Sequence, residues 1–190
     1  WKKYLHLATA CLMKASKTKK GFEITADNDT SEKIAFLGVR PCEIAAIGIQ
    51  DKVFLQEPFV DPLYKARRDK IFIVAVNCAN PAGTCFCASM NTGPKAESGF
   101  DIALTEVVEG NKHFFVAEAG SVAGSSILSK VSGAPASKEL VQKAKDISTK
   151  AAGKMGRKLN TLNIKDLLYN NREHPRWEET SKRCLSCGNC

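Results

Sequence analysis

Seven of the eight cysteines fall in two groups whose spacing suits metal or redox chemistry. The first group is Cys42, Cys78, Cys85 and Cys87; the second is Cys184, Cys187 and Cys190. Cys11 stands alone in a basic stretch and reads as structural. Thiolates are soft ligands, and four of them suit tetrahedral zinc or an iron–sulfur cluster. Cys85 and Cys87 are two apart, so an extended segment turns both side chains the same way. A redox dithiol at 85 and 87 and a set of inert buried thiols are the competing readings of the first group. The second group reads C-x2-C-x2-C, the opening of the ferredoxin run C-x2-C-x2-C-x3-C-P. Gly188 lets that run wrap tightly. Zinc pairs come as two separated C-x2-C units, so three evenly spaced cysteines favour iron and sulfide. The sequence starts at Trp1 and stops at Cys190, before the last cysteine of that run, and is read as a piece of a longer chain.

The elements around the first group explain how its thiols meet. Residues 34–39 and 71–76 are continuous apolar runs of strand length. Pro41 suits a first helical position, and Ile44, Ala45, Ile47, Ile49 and Val53 are expected to fill one face of a helix over 42–54. Strand, helix, strand predicts a βαβ unit with a parallel pair. Cys42 and Cys78 each follow one of those strands, so both thiols emerge at the carboxyl edge, where open α/β sheets place ligands. Residues 77–94 form a long Cys-, Gly-, Asn- and Pro-rich loop, the kind that is usually functional. Gly83 and Thr84 let it fold back, bringing Cys85 and Cys87 to the same point. The N-terminus of the helix favours a thiolate at Cys42, and Arg40 lies nearby to offset cluster charge.

Elsewhere, the first 20 residues read as a strand or turn followed by solvated lysines, and 21–30 as a polar loop. Residues 101–108 and 113–118 flank Glu109-Gly110-Asn111-Lys112, a hairpin signal. Residues 121–132, 137–154 and 164–169 read as helices, with Gly133-Ala134-Pro135 breaking the first from the second. The fold class expected is α/β: a small mixed sheet with a βαβ unit and a hairpin, followed by a helical C-terminal segment leading into a truncated ferredoxin-like domain. The domain boundaries expected are 1–135 for the α/β domain with the four-cysteine site, 136–180 for a helical linker region and 181–190 for the start of the ferredoxin domain.

Composition narrows the function classes. The chain has 190 residues, 44% hydrophobic and 25% charged, which excludes collagenous and disordered classes. No apolar run of about 18 residues exists, so no membrane span is expected. Lys2, Lys3, His6 and Lys14 interrupt any signal-peptide core, so the clustered cysteines read as metal or redox sites in a cytoplasmic protein. The net charge of +8 invites a second reading, a zinc-binding nucleic-acid-binding module. The lysines at 14–20 and 138–158 lack interleaved aromatics, however, and read as solvated faces. His6, His113 and His174 are isolated, and no G-x-G-x-x-G or P-loop is present.

Four stretches carry a family resemblance. They are 36–43 with Asp51-Lys52-Val53-Phe54, then 77–94, then 99–105, and finally His174-Pro175-Arg176-Trp177 before Arg183-Cys184. Together they resemble the iron–sulfur electron-transfer subunit that cytoplasmic sulfhydrogenases, where it is called beta, share with anaerobic sulfite reductases. The resemblance covers 34–190, with the first 30 residues matching weakly. It implies [4Fe-4S] clusters and a dicluster ferredoxin domain, of which this chain retains the first three cysteines. It also implies two partners: a flavin subunit handling NAD(P)H, and a hydrogenase or sulfite reductase catalytic subunit. The role implied is electron relay, with no catalysis by this chain alone.

Overall fold

The computed structural model describes residues 1–26 and 32–184. In chain order the elements are α1 (Lys2–Leu5), β1 (Met13–Thr18), β2 (Gly21–Ala26), β3 (Ile34–Val39), α2 (Pro41–Phe54), α3 (Pro62–Arg68) and β4 (Ile71–Val76). They continue with β5 (Ile102–Glu109), β6 (Lys112–Ala119), α4 (Val122–Leu128), α5 (Lys138–Gly153), α6 (Ile164–Asn170) and α7 (Arg176–Ser181).

The β-branched and aromatic runs of β3 and β4 pair in parallel, and α2 crosses between them as the βαβ reading expects. The sheet order is β3-β4-β5-β6, with β5 parallel to β4 and β6 closing it as an antiparallel hairpin. Val39, Ile44, Ile47, Tyr64, Ile73, Ala75, Phe100 and Ala103 share one core between the sheet and the α2–α3 layer. Burying each large aliphatic among them stabilises the fold by about 1.5–3 kcal/mol. At the end of β3 the register slips between Leu37 and Val39. Gly38 supplies the positive φ of 89° that this bulge uses, immediately upstream of Cys42.

Asp101 locks the sheet from the side. Its carboxylate accepts from Ile73 N–H at 2.7 Å and from the Ser121 hydroxyl at 2.6 Å. One side chain thus joins β4, the start of β5 and the N-cap of α4. Gly124 of α4 packs so closely that a Cβ there would meet the Asp101 carbonyl.

The structure departs from the expectations at several points. Residues 21–26 are not a loop: β2 pairs with β1 from Met13↔Ala26 to Thr18↔Gly21. Both strands are exposed along their whole length, so the segment reads as polar although Phe22 and Ile24 alternate with Glu23 and Thr25. The remainder of the expected loop lies outside the described residues. Ile49 and Val53, expected on a filled helix face, are each 61% exposed, because only the Ile44–Ile47 side of α2 meets the sheet. The helix α3 is an addition to the elements expected. Its signals are Pro62 in the first turn and the Asp61 carboxylate, which accepts from Leu63 and Tyr64 N–H at 2.9 Å. Among the described residues no helix is long and apolar enough to cross a membrane.

Candidate metal centre

The parallel pairing of β3 and β4 sends both chains out at one sheet edge, and each carries a cysteine within three residues of its strand end. Cys42 sits in the first turn of α2, behind Pro41. The Glu43 carboxylate accepts from Arg40 N–H at 2.9 Å and closes that turn. Cys78 follows Asn77, whose surroundings are fully built. Asn77 is 3% exposed, its N–H donates to the Leu104 carbonyl, and its side-chain NH2 donates to Thr105 Oγ1 at 2.9 Å. The Asn77 Oδ1 accepts from Ala96 N–H at 2.8 Å. Cys78 N–H in turn donates to the Pro94 carbonyl at 3.0 Å. The two ends of the 77–96 loop are therefore tied to each other and to β5.

Between those ends the loop is a series of tight turns. Cys85 N–H reaches the Ala82 carbonyl, and the Cys87 carbonyl accepts from both Met90 and Thr92 N–H. The turns bring Cys87 back toward the start of α2. Gly93 closes the approach: a Cβ there would lie 3.1 Å from Cys87 Sγ and 3.3 Å from Pro41 Cβ. Cys87 is thus packed beside the residue that starts α2, next to Cys42.

Two of the four thiols, Cys87 and Cys42, are raised in part by their cysteine neighbours. Burial pushes the Cys87 thiol up, and the neighbouring Cys42, Cys85 and Cys78 push it further. Burial also raises Cys42, followed by the adjacent Glu43 carboxylate, with Cys85 adding a smaller contribution. The helix N–H groups do favour the thiolate expected at Cys42, but burial and Glu43 outweigh them. Arg40 contributes its backbone to the helix start.

Cys42, Cys78, Cys85 and Cys87 are all free thiols, and Cys42 is exposed. Among the described residues no group of three or more His, Cys, Asp or Glu lies placed to hold a metal ion. A zinc ion needs its sulfurs about 3.8 Å apart, from zinc–sulfur bonds of about 2.3 Å in a tetrahedron. A four-iron cluster separates its thiolates further, because the iron and sulfide core lies between them. The donor set, four thiols and no carboxylate or imidazole, fits such a cluster. In the second group Cys184 is exposed just after α7, while Cys187 and Cys190 lie outside the described residues.

Sequence reasoning missed the far side of the site. The segment 155–159, which follows α5, runs across the cysteine loop. Arg157 N–H donates to the Cys85 carbonyl at 3.2 Å and Leu159 N–H to Ser89 Oγ at 3.1 Å. Met155 Sδ lies 3.9 Å from Cys87 Sγ and accepts from Ala88 N–H at 3.4 Å. A thioether after a lysine-rich helix carries no ligand-type spacing, so no sequence signal marks it.

The chain is 34% identical over 164 residues, 85% of its length, to sulfhydrogenase 2 subunit beta of Pyrococcus furiosus. This chain is a relative of the sulfhydrogenase beta subunits. It spans 47% of that relative's length, about half. No protein-family model matches it. No solved structure matches it either.

Proposed function

We propose that this chain is an electron-transfer subunit of an oxidoreductase complex. Cys42, Cys78, Cys85 and Cys87 hold one [4Fe-4S] cluster, and Cys184, Cys187 and Cys190 begin the binding run of another. The observation that carries this reading is that Cys42 and Cys78 both follow strands of the parallel β3–β4 pair at one sheet edge, with Cys87 Sγ packed beside Gly93 near Pro41, in a chain similar to a sulfhydrogenase beta subunit. A bound cluster supplies a one-electron carrier whose potential follows burial, charge and hydrogen bonds to sulfur.

The chain's own residues do the rest. Asn77 and the Cys78–Pro94 hydrogen bond fix the ends of the loop that carries three of the proposed ligands. The first turn of α2 directs N–H groups toward Cys42 and stabilises its thiolate once the metal displaces the proton. The partners proposed are a flavin subunit that handles NAD(P)H and a hydrogenase or sulfite reductase catalytic subunit, in the cytoplasm, where free thiols stay reduced.

Anaerobic reconstitution with iron and sulfide tests the cluster. The expected product is brown, bleaches with dithionite, and carries about four irons per chain at the first site. Cys42→Ser and Cys85→Ser each lower that content. A colourless protein that takes up zinc and rejects iron overturns the reading. In a complex with flavin and catalytic subunits, Cys85→Ser is expected to abolish NAD(P)H-linked transfer while artificial dyes still drive the catalytic half-reaction.

A further inference from the structure

The strap at 155–159 touches the cysteine loop repeatedly between Gly83 and Ser89. Gly156 lies against Gly83, so closely that a Cβ on Gly156 would meet the Gly83 carbonyl oxygen and carbon. Arg157 holds the Cys85 carbonyl, Leu159 holds Ser89, and Met155 covers Ala88 N–H and Cys87 Sγ. These contacts bracket both cysteines of the C-x-C pair, from just before Cys85 to just after Cys87. The loop's own hydrogen bonds here are short-range turns, which open locally at little cost. The strap supplies long-range ties, since Met155 is 68 residues away from Cys87 in the chain.

We infer that the strap positions the Cys85–Cys87 loop and that Met155 is the side chain that shields Cys87 from solvent. Met155 suits this role because a thioether is apolar, polarisable and flexible enough to fill an irregular gap beside sulfur. Its sulfur accepts from Ala88 N–H at 3.4 Å and from the Cys87 thiol at 3.9 Å. Gly156 is the contact that lets the strap lie flush, because only a residue without Cβ fits against Gly83. Met155 and Gly156 are positioning residues: they act through the cysteines. The consequence for a cluster rests on the proposed ligand role of Cys85 and Cys87, but the shielding itself does not.

The test uses the full chain in its metal-free, reduced state. Each cysteine's rate of alkylation by iodoacetamide is followed by peptide mass spectrometry, with Cys11 as the internal reference. Met155→Ala is expected to speed Cys87 alkylation about fivefold or more, because the covering side chain is gone. Gly156→Val is expected to speed both Cys85 and Cys87, because the strap lifts. Met155→Leu, which keeps the volume, is expected to restore the protected rate. Circular dichroism confirms that each variant remains folded, and if Gly156→Val unfolds, Met155→Ala alone decides. Folded Met155→Ala protein with Cys87 alkylated at the unsubstituted rate overturns the inference. A chain that shows the protection but takes up no iron overturns the cluster proposal and leaves the strap standing.

Discussion

Asn77 and Thr105 share a buried side-chain hydrogen bond of 2.9 Å, linking the residue before Cys78 to the middle of β5. Two further bonds, to Leu104 and Ala96, make Asn77 the anchor of the whole cysteine loop. Its replacement by Ala strands the Ala96 N–H and the Thr105 hydroxyl in a buried setting. Asn77→Ala is expected to destabilise the fold by about 2–3 kcal/mol, read from urea denaturation. Thr105→Val, which removes one bond only, is expected to cost less.

Gly93 bears on the cysteine loop in two ways. A Cβ there meets Cys87 Sγ at 3.1 Å and Pro41 Cβ at 3.3 Å, and its φ of 159° strains any residue with a side chain, so Gly93→Val pushes on one proposed ligand and on the loop backbone. The expected outcome is a folded chain with reduced iron content after reconstitution. Gly83 has open space where its Cβ would go, so Gly83→Ala is the matched control and is expected to load normally. Equal iron in both variants would show that Cys87 is not a ligand.

Metal-free stability should fall at alkaline pH. Burial, Glu43 and the neighbouring thiols raise Cys42 and Cys87, so the folded chain holds these protons more tightly than the unfolded chain. Their contribution is fully present below the ordinary thiol value of about 8.5 and is lost as pH rises through the raised folded values. Urea midpoints taken with reductant should therefore hold up to about pH 8.5 and drop as pH rises beyond it, and the drop should shrink in the Cys42→Ser, Cys87→Ser double variant. The same protons should be released when metal loads, measurable as acidification of a weakly buffered sample.

Asp51 is expected to be structural. It accepts from the Tyr64 hydroxyl at 2.7 Å and from Arg68 Nε at 3.1 Å, joining α2 to α3 beneath the core. Tyr64 is buried and its hydroxyl is held in the protonated form, with burial and Asp51 raising its pKa. Asp51→Ala leaves that hydroxyl unpaired and is expected to cost about 2 kcal/mol in thermal or urea unfolding, without changing iron content. Loss of iron in a variant that stays folded would place Asp51 closer to the metal centre than its contacts show.

Local pattern along the chain suffices for the strands β3 and β4, the helix α2 that joins them, the β5–β6 hairpin and the helix α5. Their signals are continuous apolar runs, a proline at a helix start, a Gly-containing turn and a serine cap. The same pattern marks which cysteines of the first group share an edge, because parallel strands joined by a helix must present their following residues together. Other features arise only when distant segments pack. The β1–β2 hairpin has both faces exposed, so it lacks the burial pattern by which strands are read. Only one side of α2 reaches the sheet, which leaves Ile49 and Val53 outside. Partial burial and Glu43 raise the Cys42 thiol against the lowering effect of the helix terminus, a balance set by surroundings rather than by residue type. Met155 of the strap lies 68 residues from Cys87 in the chain, and the strap's defining contacts are a thioether, two backbone amides and a missing Cβ, none of which leaves a pattern along the sequence.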